Sequence, residues 1–131
     1  MLEKLNHIGI AVTNITVSKE KYIKEGYKVI KESYDENFLT ELCIMRKEDE
    51  VIELVYTNNP KSNVYNLCSK KDETIYHECY EVDNIEETIK ELKNNNYIVI
   101  SNIVYSKLLL GQVCFLYSKE NGIIELLEVK K

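Results

Sequence analysis

Arginine is nearly absent. Arg46 is the only one in 131 residues. Planar guanidinium forks are the usual grip on phosphates and carboxylates, so any such grip here falls to lysines, such as Lys107, or to backbone amides. Proline is as scarce: Pro60 is the only one, and it marks the one segment that reads as a linker. A basic excess is missing too. The net charge is -5, and the lysines are scattered among carboxylates. That argues against nucleic acid as the main partner, and none is expected, because phosphate binding wants a basic face. No apolar run approaches the roughly 20 residues that span a bilayer, so no membrane partner is expected. The opening Met1-Leu2-Glu3-Lys4-Leu5 has no signal-peptide form, because a strand pattern begins at once. The four cysteines, at 43, 68, 79 and 114, form no CxxC pair. They read as buried free thiols of a reducing compartment, and the expected location is the cytoplasm.

What the chain does have is a duplication. His7-Ile8-Gly9-Ile10-Ala11-Val12-Thr13-Asn14-Ile15 and His77-Glu78-Cys79-Tyr80-Glu81-Val82-Asp83-Asn84-Ile85 both fit His, four residues, Val, one residue, Asn-Ile. The offset is 70 (77 minus 7), and Tyr27, Val29 and Ile30 match Tyr97, Val99 and Ile100 at the same spacing. Val51-Ile52-Glu53-Leu54-Val55 closes the first copy and Ile123-Ile124-Glu125-Leu126-Leu127 the second, now at an offset of 72 (125 minus 53). A period this long is a duplicated module rather than a heptad or a solenoid. Apolar residues make up 44% of the chain, enough for the core of one compact domain.

The expected organisation is a single domain over 1–131, with module one at 1–57, a linker at 58–72 and module two at 73–131. In module one, strands are expected at 5–12, 27–33, 39–46 and 51–56, and a helix at 17–25 stopped by Gly26. A charged turn at 47–50 joins two of these strands without an Asn-Gly signal. A short helical turn at 64–68 falls in the linker. Module two repeats the order: strand 74–82, helix 85–93 capped by Asp83 or Asn84, then strands 97–104, 112–117 and 123–129. Residues 105–111 read as a loop with three exposed leucines.

Alternation gives the chemistry. Ile8, Ile10 and Val12 point one way, and His7 points the other way beside Gly9 and Ala11. Val51, Glu53 and Val55 share a face, as do Ile123, Glu125 and Leu127. A buried carboxylate without a partner is costly. Two imidazoles and one divalent cation would satisfy both carboxylates and leave a neutral site; mixed N and O donors suit Zn, Mn, Fe, Co or Ni. The remaining possibility is that each His merely pairs with a Glu in a polar cavity.

These motifs resemble the glyoxalase, or vicinal oxygen chelate, superfamily over nearly the whole chain. Leu5-Asn6-His7-Ile8-Gly9-Ile10-Ala11-Val12 is similar to its opening strand, and Val113-Cys114-Phe115-Leu116 and Gly122-Ile123-Ile124-Glu125-Leu126 resemble its last two. Residues 76–85 and Ile52-Glu53-Leu54 look most like methylmalonyl-CoA epimerase within it. The resemblance implies an α+β fold of two tandem βαβββ modules in a half-open mixed β-sheet barrel. It also implies His7, Glu53, His77 and Glu125 as the metal-ligand positions. The implied enzyme is a metal-dependent isomerase or epimerase, often homodimeric, that abstracts a proton next to a polarised carbonyl or thioester. Glu125 would be both ligand and base. Glu36, in a turn similar to the epimerase's acidic loop and 17 residues before Glu53, is a second candidate base; the alternative for Glu36 is a solvated turn acid. A lactoylglutathione lyase-like enzyme and a small-ligand or antibiotic-binding protein of the same fold are the other readings. The chain departs from the epimerase pattern in three loops that shape its substrate pocket. Glu73-Thr74-Ile75 stands for glycines before the second His, Ser106 to Gly111 contains one glycine, and Asn121-Gly122 replaces a glycine pair.

Overall fold

The computed structural model describes residues 2–70 and 72–129. Backbone contacts divide the chain into two compact units. The N-terminal unit is His7–Tyr76; the C-terminal unit runs from residue 77 onward and includes the residues up to 6. Lys71, in the expected linker, lies outside the described residues. Nine strands and three helices occur among the described residues, and no helix is long and apolar enough to cross a membrane.

The N-terminal unit takes most of β1 (Lys4–Ala11), then α1 (Ile15–Lys24), β2 (Lys28–Asp35), β3 (Thr40–Lys47), β4 (Glu50–Tyr56) and α2 (Tyr65–Cys68). Its strand order is β2-β3-β4-β1. β1 lies parallel to β4, because a helix and two strands intervene, while β2-β3 and β3-β4 are antiparallel. The β3–β4 hairpin turns without Asn-Gly because Glu48 itself takes the left-handed conformation, with φ 54°. One face of these strands buries Ile10, Val12, Cys43, Met45, Ile52 and Leu54 in a core that Ile15 and Tyr22 of α1 pack against.

The C-terminal unit holds most of β5 (Thr74–Val82), then α3 (Ile85–Lys93), β6 (Ile98–Val99), β7 (Val104–Ser106), β8 (Gly111–Ser118) and β9 (Gly122–Val129). Its order is β5-β9-β8-β6, with β7 also on β8. β5 and β9 are parallel, and the other pairs are antiparallel. α3 presents Ile85, Ile89 and Leu92 to Cys114, Leu116, Ile124 and Leu126. Burial of each of these three side chains contributes about 1.5–3 kcal/mol.

Both long helices start the same way. Asn14 Oδ1 accepts the Val17 amide at 3.1 Å, and Asn84 Oδ1 accepts the Glu87 amide at 3.0 Å. Of the two expected caps for α3, the structure uses Asn84, whose side chain can reach N3.

Two expectations fail in the C-terminal unit. The continuous strand at 97–104 is instead two short pieces, β6 and β7. Between them Ser101 Oγ accepts the Phe115 amide at 2.8 Å, so a side chain takes the place of a ladder carbonyl. The loop at 105–111 does not expose three leucines. Leu110 is exposed, but Leu108 is buried, because Ser106 Oγ accepts the Leu109 amide and folds the turn inward.

Candidate metal centre

Parallel pairing of β1 with β4 places Gly9 beside Glu53, and the alternation of β1 puts His7 on the same face. His7 Nε2 stands 3.5 Å from Glu53 Oε1. In the C-terminal unit the parallel pairing of β5 with β9 places Cys79 beside Glu125, and His77 Nε2 stands 3.1 Å from Glu125 Oε1. The exposures are 1% for His7, 4% for Glu53, 2% for His77 and 4% for Glu125. Each unit thus buries one imidazole against one carboxylate at repeat-equivalent positions. These are not solvated edge acids.

The donor set fits a metal ion. Each unit offers one imidazole and one carboxylate, both buried, and donors of this kind suit a divalent cation of the borderline class. Their spacing agrees. With metal–donor bonds of about 2.1 Å, neighbouring donor atoms lie about 3.0 Å apart in an octahedron and about 3.4 Å apart in a tetrahedron. The 3.1 Å separation lies within that range and the 3.5 Å separation just above it. Simple His–Glu pairing explains the second distance less well, because N–H···O bonds centre near about 2.9 Å.

Glu36 is placed differently. It stands exposed in the turn between β2 and β3. Asp35 Oδ1 accepts the amides of Asn37 at 2.8 Å and Phe38 at 3.3 Å, and Leu39 closes the turn with φ 58°. The turn is built by Asp35, which leaves the Glu36 carboxylate to solvent. The C-terminal unit repeats the device at an offset of 71 (110 minus 39): Ser106 Oγ accepts the Leu109 amide at 3.0 Å and Leu110 has φ 59°. Lys107 occupies the place equivalent to Glu36.

All four cysteines are free and buried. Burial first, and then the Glu32 carboxylate, pushes the Cys43 thiol up to about 11, so it carries no thiolate near neutral pH. The sequence reading passes over Phe115, whose ring stands edge-on to His77 with centroids 5.3 Å apart and an interplanar angle of 82°. The alternation of residues 113–117 does signal it, since Val113, Phe115 and Tyr117 share a face.

The profile of the Glyoxalase/Bleomycin resistance protein/Dioxygenase superfamily matches residues 6–115. The chain belongs to this superfamily. No curated protein sequence matches it. Among solved structures, a hypothetical protein of Bacillus halodurans is similar at 28% identity with TM-score 0.84, over 98% of this chain and 95% of that one. Methylmalonyl-CoA epimerase from Mycobacterium tuberculosis is similar at 18% identity with TM-score 0.84, over 98% and 89%. A variant of the Streptomyces coelicolor methylmalonyl-CoA epimerase, in complex with 2-nitronate-propionyl-CoA, is similar at 17% identity with TM-score 0.85, over 100% of both chains. At such identities the epimerases share the fold of this glyoxalase-superfamily chain. The superfamily match ends before β9, so Glu125 rests on the duplication and on its own burial.

Proposed function

We propose that the protein is a metal-dependent isomerase or epimerase that moves a proton α to a carbonyl or thioester carbonyl, and that His7, Glu53, His77 and Glu125 together hold one divalent ion. The observation that carries this reading is the pair of buried His–Glu contacts, repeated in both units of a glyoxalase-superfamily chain. The ion is Zn, Co, Ni, Mn or Fe by donor chemistry. When bound, such an ion polarises a carbonyl and offsets the negative charge that develops on its oxygen.

The chain's own residues do the rest. His7 and His77 contribute neutral nitrogen donors, so the two carboxylates balance the ion's charge. Burial keeps all four in place and keeps bulk water from them. A carboxylate must then take the α-proton. Glu125 is the candidate within the buried set. Glu36 is the candidate outside it, in an exposed turn where a substrate could meet it. Return of the proton to the opposite face gives epimerisation, and its return to the neighbouring carbon gives a glyoxalase-type isomerisation. The reading includes one domain over the whole chain, a cytoplasmic location and a homodimer.

The test is elemental analysis of protein purified without chelator or nickel resin, beside His77→Ala. About one divalent ion per chain is expected, lost in the variant. Solvent deuterium exchange into methylmalonyl-CoA, and isomerisation of the glutathione hemithioacetal of methylglyoxal, then separate the two chemistries. Absence of metal, with none taken up on reconstitution, would overturn the metalloenzyme and leave a ligand-binding pocket. Glu36→Gln is expected to lower kcat at least about 100-fold with metal content unchanged, if Glu36 is the base. An unchanged rate assigns that step to Glu125.

A further inference from the structure

The two half-sites match in their ligands but not in what packs on them. Across the β3–β4 ladder Glu53 faces Ile44, and across the β8–β9 ladder Glu125 faces Phe115. These positions are equivalent at an offset of 71 (115 minus 44). Residues directly opposite in an antiparallel ladder share a face, so Phe115 lies on the face that carries Glu125. Its ring also meets the His77 imidazole edge-on at 5.3 Å. One side chain therefore touches the imidazole and is strand-paired with the carboxylate.

The backbone of Phe115 is held at both its amide and its carbonyl. Its amide donates to Ser101 Oγ at 2.8 Å, and its carbonyl accepts the Ile100 amide at 2.9 Å. This is the place where the strand expected at 97–104 is interrupted. The interruption that sequence alternation does not foresee is thus located at the residue that packs on a candidate ligand. In the N-terminal unit the equivalent Ile44 has no ring to offer its imidazole. The His–Glu separation there is 3.5 Å, against 3.1 Å in the braced half.

We propose that Phe115 is a positioning residue that fixes the His77 ring for metal binding, with Ser101 locking Phe115 in register. This rests on the metal reading above. Phe115 donates nothing to the ion. It acts by holding the imidazole in the orientation that a ligand needs, so that less freedom is lost when the ion arrives. The C-terminal half is then the preorganised half of the centre.

Co2+ affinity, measured by competition with a chromogenic chelator, tests this. An edge-to-face pair is worth enough that Phe115→Leu, and Phe115→Met as a second ringless variant, should weaken Co2+ binding about 3- to 10-fold. Phe115→Tyr keeps the ring and should stay within about twofold of wild type, as should Ile44→Leu in the other half. Thermal melts of the metal-free proteins check that each variant is folded. Unchanged affinity in the folded ringless variants would overturn the positioning role while the metal centre stands. Equal weakening in the Tyr variant would also overturn it, since the ring contact would then not be what matters. A wild-type protein that binds no Co2+ would overturn the metal reading itself, and this proposal with it.

Discussion

Gly111 has little freedom to change. It opens β8 opposite Val129, and a Cβ there would collide with the Glu128 carbonyl oxygen and lie 2.9 Å from Leu127 Cδ1. The colliding atom is backbone, so it cannot swing aside as a flexible side-chain tip could. Gly111→Ala must push β8 from β9, and overpacking of this kind typically costs about 1–3 kcal/mol. Chemical denaturation should show that loss. Gly122→Ala offers the contrast: nothing lies within 4 Å of its Cβ position, and only its φ of 70° opposes an alanine. A Gly111→Ala protein as stable as wild type would mean that the β8–β9 approach is looser than described. At this scale much of the candidate centre is legible in the sequence. His7, Glu53, His77 and Glu125 stand out because each occurs twice in register, and a duplicated coincidence is hard to obtain by chance. Phe115 stands out less, since Ile44 fills the equivalent place and only the alternation of residues 113–117 marks it.

At the scale of elements, the two long helices are moored by different physics. α3 is held by apolar burial of Ile85, Ile89 and Leu92. In α1 the one buried residue is Ser18. Its hydroxyl donates to Glu73, which also accepts from Lys21 Nζ at 2.6 Å and Tyr22 Oη at 3.2 Å. Burial of Glu73 works against its charge, but the Lys21 and Ser18 hydrogen bonds win, and its carboxyl sits below the ordinary carboxylate value of 4.5. A carboxyl depressed in the folded state contributes stability above its unfolded pKa and loses it as pH falls through the folded value. Wild type should therefore lose stability on acidification below about pH 4.5 in part through Glu73. Glu73→Gln should flatten that limb and cost roughly 1 kcal/mol at pH 7, little more because the cluster is partly exposed to solvent. Urea melts at pH 7 and pH 3.5 measure both; an identical pH dependence in the variant would rule this tether out. The elements themselves are mostly legible. Strand 74–82 and helix 85–93 have the expected ends, because caps and alternation agree there. The break between β6 and β7 is not legible. Tyr97 to Ile100 is strand-forming by composition, and the interruption depends on where the Ser101 hydroxyl lands, which is a tertiary fact.

At the scale of the whole molecule, the question is whether two similar halves act as one. Each unit has its own helix, its own core and its own His–Glu contact. Two outcomes are physically distinct. If each pair bound its own ion, the protein would take up two, and each site would offer only two protein donors, too few for a tight borderline-metal site. If the four donors serve one ion, the protein takes up one, and losing either pair destroys the site. An ion that binds only the folded state stabilises it by RT ln(1 + [L]/Kd), about 2.7 kcal/mol at a free concentration 100 times Kd. For a chain of this length that raises Tm by about 10 °C, given an unfolding entropy near 2 cal/mol/K per residue. Chelation should therefore lower Tm by about that amount relative to saturating Zn2+ or Co2+. The decisive comparison is between His7→Ala and His77→Ala, which alter different units. A shared centre predicts that each variant alone abolishes most of the metal-dependent rise. Independent pairs predict that each variant keeps about half of it, because the untouched pair still binds. Only the first outcome is compatible with the four residues acting as one site.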